Sequence, residues 1–359
     1  MKVLHCINSP HIGGLERLVI ELAIAQFKKG LEVSIMLDTT KGQYYDYLKQ
    51  HNIPILISGI KGGFDINLRT YKYLKQVFND FEIVHVHSFS PIRSLALKHS
   101  KAKSVYTMHG LSKNIRTENK IKYIFREMLK RHFLNTFDMF IANSKHTLTQ
   151  AIDHYGLKGV RKKMIFNGVK LPAIVPDENS YSEDFVIGLV SRFTYRKRID
   201  RLIHGFDIFL KKGGKGRLIL VGDGEAFPDV KKQIQTMNLS AEIELVGYSN
   251  TVNTYYAKFD VCVHPSDNEG FGLVAVEAYS HGKPVIAFSD SGGLVEVIAP
   301  LEPDNIVDNE TQLAARLFYY YEHRDIIKKN ASSRISYAAN MFSIQRMEQD
   351  YLEVYKTLI

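Results

Sequence analysis

Glu269-Gly270-Phe271-Gly272-Leu273-Val274-Ala275-Val276-Glu277 sets two carboxylates on either side of a Gly-Phe-Gly turn. Glycine lets backbone N–H groups approach an anionic ligand closely. The apolar residues after Gly272 read as the first turns of a helix. Those N–H groups therefore stand at a helix N-terminus, where phosphate or developing negative charge is favoured. Glu269 precedes the turn and Glu277 lies about a turn and a half into the helix. Both can accept hydrogen bonds from sugar hydroxyls. An anion-binding backbone flanked by two hydroxyl acceptors suits a nucleotide-sugar.

Working outward, short apolar runs alternate with amphipathic ones, in two series. The first series of strands is Val3–Ile7, Glu32–Leu37, Ile53–Ile57, Ile83–His87, Ser104–Met108, Met139–Ala142 and Lys163–Phe166. The helices Leu15–Lys29 and Leu68–Phe78 fall within it. Around Leu171–Glu183 the periodicity stops, and Pro172, Pro176, Asp177, Asn179 and Ser180 read as a linker. The second series of strands is Phe185–Val190, Arg217–Val221, Glu242–Val246, Val261–His264 and Pro284–Phe288. Helices Ile199–Leu210, Val230–Asn238, Leu273–His281 and Leu294–Ala299 separate most of them. From about Gln312 the chain reads as helical. Such alternation implies parallel sheets covered by helices. The fold expected is α/β, with two Rossmann-like domains and a shared ligand in the cleft they face.

The chain has 359 residues, enough for two ordinary domains. At 45% hydrophobic and 24% charged it is a globular composition, which excludes a disordered chain. Cys6 and Cys262 lie in apolar strands of different halves and read as reduced core thiols, pointing to the cytosol. No apolar run is long enough for a membrane span, and the opening Met1–Ile7 does not read as a signal peptide. Net charge is +9. It favours an anionic partner without naming one, and it equally serves solubility.

Further residues stand at expected strand ends. Arg192 and Lys197, in Ser191–Arg198, can converge on one anion, the first as a planar fork and the second as a point charge. A solvated basic loop is the plain alternative. Gly13 and Gly14, in His11–Arg17, open the first helix without the third glycine of the dinucleotide fingerprint. An ordinary strand–helix turn explains them equally well. His109, after Thr107-Met108, stands where it can hydrogen-bond a reacting sugar, although a lone histidine is more often structural. Gly222-Asp223-Gly224-Glu225 and Val246-Gly247-Tyr248 are candidate nucleotide walls or plain turns.

The segment 118–137 reads as a basic amphipathic helix. Ile121, Ile124, Phe125, Met128, Leu129 and Phe133 form its stripe, and Lys120, Lys122, Arg126, Lys130 and Arg131 its surface. The preferred reading packs the stripe on the sheet; the other lays it on a membrane. The run Lys158, Arg161, Lys162 and Lys163 extends that basic face. The sequence contains no Asp-x-Asp, so no metal bridging a diphosphate is expected, and it contains no P-loop or zinc-ligand motif. The aromatic-plus-basic pattern of RNA modules is missing, so no nucleic-acid partner is expected.

Taken together these motifs resemble the retaining GT-B glycosyltransferases of family 4. The resemblance is carried by Glu269…Glu277, Gly282–Ala287, Gly292–Ile298, Gly222–Glu225, the Arg192…Lys197 pair and the ending Phe342–Tyr355. It implies a donor-binding domain over 183–341 and an acceptor-binding domain over 1–172, onto which a C-terminal helix at 342–359 crosses back. Arg192 and Lys197 would hold the donor diphosphate, with Gly14 capping it. Glu277 would bind ribose, and Glu269 with the backbone of Gly270, Phe271, Gly272 and Leu273 would hold the donor sugar. Gly13, Gly222, Asp223, Val246 and Gly247 complete the expected donor site, and His109 would lie near the reacting sugar.

The implied reaction moves a hexosyl or N-acetylhexosaminyl unit from a nucleoside-diphosphate sugar, UDP-linked by preference. The acceptor would be a saccharide or lipid-linked saccharide of a cell-surface polysaccharide or lipopolysaccharide. No cofactor and no metal are expected, and the protein would be cytoplasmic, with peripheral attachment to an anionic inner membrane face. A nucleotide-sugar epimerase of related fold and a non-catalytic nucleotide-sugar or RNA binder are the alternatives. Arg198 stands where the family often has glycine, and Ala299–Asp304 is shorter than usual.

Overall fold

The computed structural model describes residues 1–11, 13–62, 65–111, 120–171 and 184–359. Ile12, nearly all of the expected linker and the start of the basic helix at Glu118 lie outside them. The chain divides into two units, Met1–Lys170 with Ile344–Ile359, and Leu171–Ser343.

The first unit carries strands β1 (Lys2–Ile7), β2 (Glu32–Leu37), β3 (Ile55–Ile57), β4 (Ile83–Val86), β5 (Lys103–Met108), β6 (Met139–Ala142) and β7 (Arg161–Met164). They form one parallel sheet in the order β3-β2-β1-β4-β5-β6-β7. Helices α1 (Gly14–Lys28), α2 (Tyr44–Gln50), α3 (Leu68–Phe78), α4 (Pro91–Lys98), α5 (Lys120–Leu134) and α6 (Lys145–Tyr155) connect the strands. Strand order reverses between β1 and β4, the point where open α/β sheets bind ligands. Val84, Val86 and Tyr106 pack with Phe78 and Phe140 in one cluster, and Val19, Ala23, Ile35 and Leu37 in another.

The second unit repeats the plan. Strands β8 (Val186–Val190), β9 (Arg217–Val221), β10 (Ile243–Gly247), β11 (Val261–His264), β12 (Val285–Phe288) and β13 (Ile306–Val307) pair in the order β10-β9-β8-β11-β12-β13. Helices α7 (Ile199–Lys211), α8 (Phe227–Thr236), α9 (Val252–Lys258), α10 (Leu273–Ser280) and α11 (Gly293–Ile298) alternate with these strands. The helices α12 (Glu310–Glu322), α13 (Arg324–Lys329) and α14 (Ala331–Phe342) follow. The switch point lies between β8 and β11. A final helix, α15 (Ile344–Lys356), belongs to the first unit and packs on α1. Its Glu348, fully buried, pairs with Lys29.

Several expectations need correction. The return to the first unit starts at Ile344, not Phe342. Phe342 is buried against Phe271 and Tyr337, and the extended backbone of Ser343 ends its helix. Strand β7 is Arg161–Met164, not Lys163–Phe166. It is an exposed edge strand, where lysine and arginine discourage pairing with another chain, so an apolar run misplaces it. Lys162 donates to the carbonyls of Leu157 and Val160 at 2.7 and 2.9 Å.

The stripe of α5 does not pack as preferred. Ile121 is 77% exposed, Ile124 50%, Phe125 52% and Met128 64%, whereas Phe133 and Leu134 are buried. Lys130 is not on the solvated face; its ammonium lies over the Tyr155 ring, and burial pushes its pKa down.

Candidate active site

Each unit has its own cluster at the strand ends. In the second unit, three loops are stitched together by main-chain bonds: Phe193 donates to Asp223, Gly222 to Gly247 and Ala226 to Phe193, each at 2.8–2.9 Å. The loops come so close that a Cβ on Gly222 would lie 1.8 Å from the Ser191 carbonyl oxygen, at a φ of +142°. Gly222 is thus explained by loop packing, and Gly247 by its φ of +80°, with no atom close enough to exclude a Cβ, whatever either binds. Asp223 is exposed and caps the N–H of Gly224 at 2.7 Å. Val246 sits at an irregularity in the β10 register.

Arg192 is exposed at the end of β8. A short 3-10 turn, Tyr195–Lys197, then carries Lys197 inward. Arg198 ends that turn in the left-handed conformation, φ 46° and ψ 43°, which glycine would adopt without strain, and it pairs with Asp200 at 3.0 Å. Lys197 Nζ donates to Glu269 Oε1 at 2.5 Å. Burial alone would raise the Glu269 carboxyl. The Lys197 charge and hydrogen bond, helped by Ser266 and Arg196, outweigh it and hold the group below its ordinary value.

Glu269 is itself fixed by main-chain bonds: its N–H donates to Ser291 and its carbonyl accepts from Gly293 at 2.8 Å. Gly272, at φ +98°, caps α10. Phe271 is buried against Phe342, so its ring is not presented to a ligand. Glu277 accepts from the Tyr256 hydroxyl at 3.2 Å, which orients its carboxylate. Lys197 and Glu269 are thus brought into contact, and the turn Gly270–Leu273 follows directly on Glu269. Sequence reading missed His264 at the end of β11. It is buried, its pKa is pushed down to about 3 by burial and then by Lys197, and its Nε2 has no hydrogen-bond partner. A histidine closing the strand at the switch point was the available signal.

In the first unit Gly13 caps α1 in an extended conformation, its carbonyl accepting from Arg17 at 3.0 Å, and Gly14 is exposed. His109 follows β5, and burial pushes its pKa down to about 4. It is not alone. His87 Nδ1 lies 3.1 Å from His109 Nε2, His5 Nδ1 lies 3.0 Å from His87 Nε2, and His85 bridges Tyr355 and Thr107 at 2.6 and 2.7 Å. The signal was His85-Val86-His87, whose period of two puts both rings on the same side at the end of β4 and just beyond it, their centroids 3.9 Å apart. Among the described residues, His5, His85 and His87 form the group close enough to ligate a metal. Cys6 and Cys262 are buried free thiols whose pKa burial pushes up to about 12.

Comparison with known proteins gives the family. The model for glycosyl transferases group 1 matches residues 172–340, and that for glycosyltransferase family 4 matches residues 12–171. An uncharacterized glycosyltransferase of Methanocaldococcus jannaschii is 29% identical over 309 residues, 83% of this chain and 81% of that protein. The capsular polysaccharide biosynthesis glycosyltransferase CapM of Staphylococcus aureus is 23% identical over 286 residues, 71% and 70% of the two chains. The crystal structure of Anabaena HepE in complex with UDP superposes with a TM-score of 0.82 at 21% identity, covering 100% of both chains. With a family model on each half and this fold beneath them, the chain belongs to the GT-B glycosyltransferases of family 4.

Proposed function

We propose that this glycosyltransferase moves a hexosyl or N-acetylhexosaminyl unit from UDP-sugar to a saccharide acceptor, with retention of anomeric configuration and without a metal. The product would be a cell-surface polysaccharide or lipopolysaccharide. The observation that carries this reading is the Lys197–Glu269 pair at the strand switch point, continuous with the N-terminus of α10. There a cation and main-chain amides serve a diphosphate while a carboxylate serves sugar hydroxyls. As the glycosidic bond breaks, charge grows on the leaving UDP. Lys197, Arg192 and the amides after Gly272 oppose that charge, and Glu277 holds the ribose. His109 hydrogen-bonds the transferred sugar. The leaving phosphate helps to deprotonate the acceptor on the same face. HepE, solved with UDP, and CapM, named for capsular polysaccharide, support the donor and the pathway.

Incubation with UDP-glucose or UDP-N-acetylglucosamine and oligosaccharide acceptors, with and without EDTA, is the test. The expected product keeps the donor's anomeric configuration by NMR, and EDTA leaves its rate unchanged. An inverted product overturns retention, and a rate abolished by EDTA overturns metal independence.

The same reading includes peripheral attachment to an anionic membrane. Its support is the apolar row Ile121, Ile124 and Met128, exposed on the basic helix α5. Among the described residues no helix is long and apolar enough to cross a membrane. Binding to phosphatidylglycerol-containing vesicles should fall as salt rises. Exchanging both Ile124 and Met128 for serine should weaken it by about tenfold or more, since each loses favourable apolar burial. Equal binding by wild type and variant in a sedimentation assay would remove α5 from the membrane contact.

A further inference from the structure

Gln26, His5, His87 and His109 form one unbroken row of hydrogen bonds. Gln26 Oε1 lies 2.8 Å from His5 Nε2, His5 Nδ1 lies 3.0 Å from His87 Nε2, and His87 Nδ1 lies 3.1 Å from His109 Nε2. Gln26, His5 and His87 are buried. The row ends at His109 Nδ1, a buried nitrogen without a hydrogen-bond partner. Asn143 Nδ2 holds the His109 carbonyl at 3.1 Å, so the ring's backbone is anchored as well.

A neutral imidazole has one N–H and one lone pair. Burial favours the neutral form for each ring, pushing His5 and His109 down to about 4 and His87 below its ordinary value. The amide oxygen of Gln26 can only accept, so His5 Nε2 must carry the proton. Its Nδ1 then accepts, which places a proton on His87 Nε2. The same step puts the next proton on His109 Nε2. His109 Nδ1 is left with a bare lone pair, so reversing the Gln26 amide would reverse every proton in the row.

We propose that Gln26, His5 and His87 are positioning residues that hold His109 in its Nε2–H tautomer, presenting Nδ1 as the acceptor for a hydroxyl of the bound sugar. The role at the sugar rests on the glycosyltransferase reading above; the tautomer itself does not. The arrangement also argues against a cation among His5, His85 and His87. A proton occupies the line between His5 and His87, and both nitrogens of His85 are engaged by Tyr355 and Thr107.

The full-length, ¹⁵N-labelled protein tests this by long-range ¹H–¹⁵N correlation of its imidazoles without substrate, His109 being assigned by its loss in His109→Gln. The expected spectrum shows His109 protonated at Nε2 and bare at Nδ1 at neutral pH. Gln26→Leu should convert it to a mixture of tautomers, and Gln26→Glu, another acceptor, should restore it. In transfer assays Gln26→Leu should lose about tenfold or more in kcat, the usual worth of a partner that orients a working histidine, and Gln26→Glu should recover part of it. His5→Phe provides a second break in the row should Gln26→Leu fail to fold. An Nδ1–H tautomer in the wild type overturns the proposal. So does an unchanged His109 signature in either folded variant, or stoichiometric zinc that is lost in His87→Phe. A bare Nδ1 in a protein that transfers no sugar would leave the tautomer standing and refute the activity instead.

Discussion

Lys197→Ala is expected to lower kcat by about a hundredfold or more, or about 2.7 kcal/mol of transition-state stabilisation. The side chain does two jobs in the proposed reaction. It opposes the charge that grows on the leaving diphosphate, and it holds Glu269, with Nζ 2.5 Å from Oε1. Removing it also changes the carboxyl. Burial raises the Glu269 pKa and Lys197 is the strongest opposing influence, so the variant's carboxyl should titrate at a higher pH. The sign for stability follows. In the wild type the depressed carboxyl contributes stability above its unfolded pKa, and this is lost as pH falls through the folded one. In Lys197→Ala that contribution shrinks, so acid should unfold the variant earlier. Arg192→Ala should show a comparable loss of turnover without the change in acid stability. Turnover within threefold of wild type in both variants would remove the diphosphate from these residues.

Arg334→Met is expected to destabilise the second unit by about 3–5 kcal/mol, the usual result of removing one member of a buried ion pair. Arg334 is 1% exposed. It donates to Glu302 Oε1 at 2.7 Å and to the carbonyls of Ile327 and Gly282 at 2.8 and 3.2 Å. Glu302 in turn accepts from Tyr279 and Asn305 at 3.1 and 2.9 Å. One guanidinium therefore ties the turn after α10, and α13 and α14, to the turn before β13. Methionine fills much of the volume but leaves Glu302, largely shielded from solvent, without its cation. Hydrogen exchange of the α13 and α14 amides is the suitable measure, because two units make a single unfolding midpoint ambiguous. Pairing the change with Glu302→Gln should recover part of the loss. A shift below about 1 kcal/mol would mean that water replaces the pair.

The doubly wound plan was legible because parallel strands buried on both faces read as apolar runs, as in Val261–His264 and Val285–Phe288. Where a strand lacks that burial, the signal fails. β7 is an exposed edge of charged residues, and β13 has two residues. The Glu269–Glu277 stretch was readable because its glycines and helix start are local. The Lys197–Glu269 bond joins residues 72 positions apart, and no local pattern announces it. The histidine row draws on β1, the residues that follow β4 and β5, and α1, so single-strand reading sees isolated rings that only the sheet order brings together. Helical spacing found the apolar row of α5 but not its exposure, since periodicity says that a face exists and not what covers it.

The helix α15 has a consequence for the order of synthesis. Its Tyr355 and Tyr351 hydroxyls cap His85 and Thr107, and its Glu348 takes Lys29. All three partners leave the ribosome before the second unit, but α15 leaves after it. The nascent first unit must therefore wait, with a polar seam in its interior open to solvent, while its neighbour is made. Strain on that waiting intermediate, more than on the finished enzyme, is where changes at Tyr351 or Tyr355 should be felt, as poor yield and aggregation during expression.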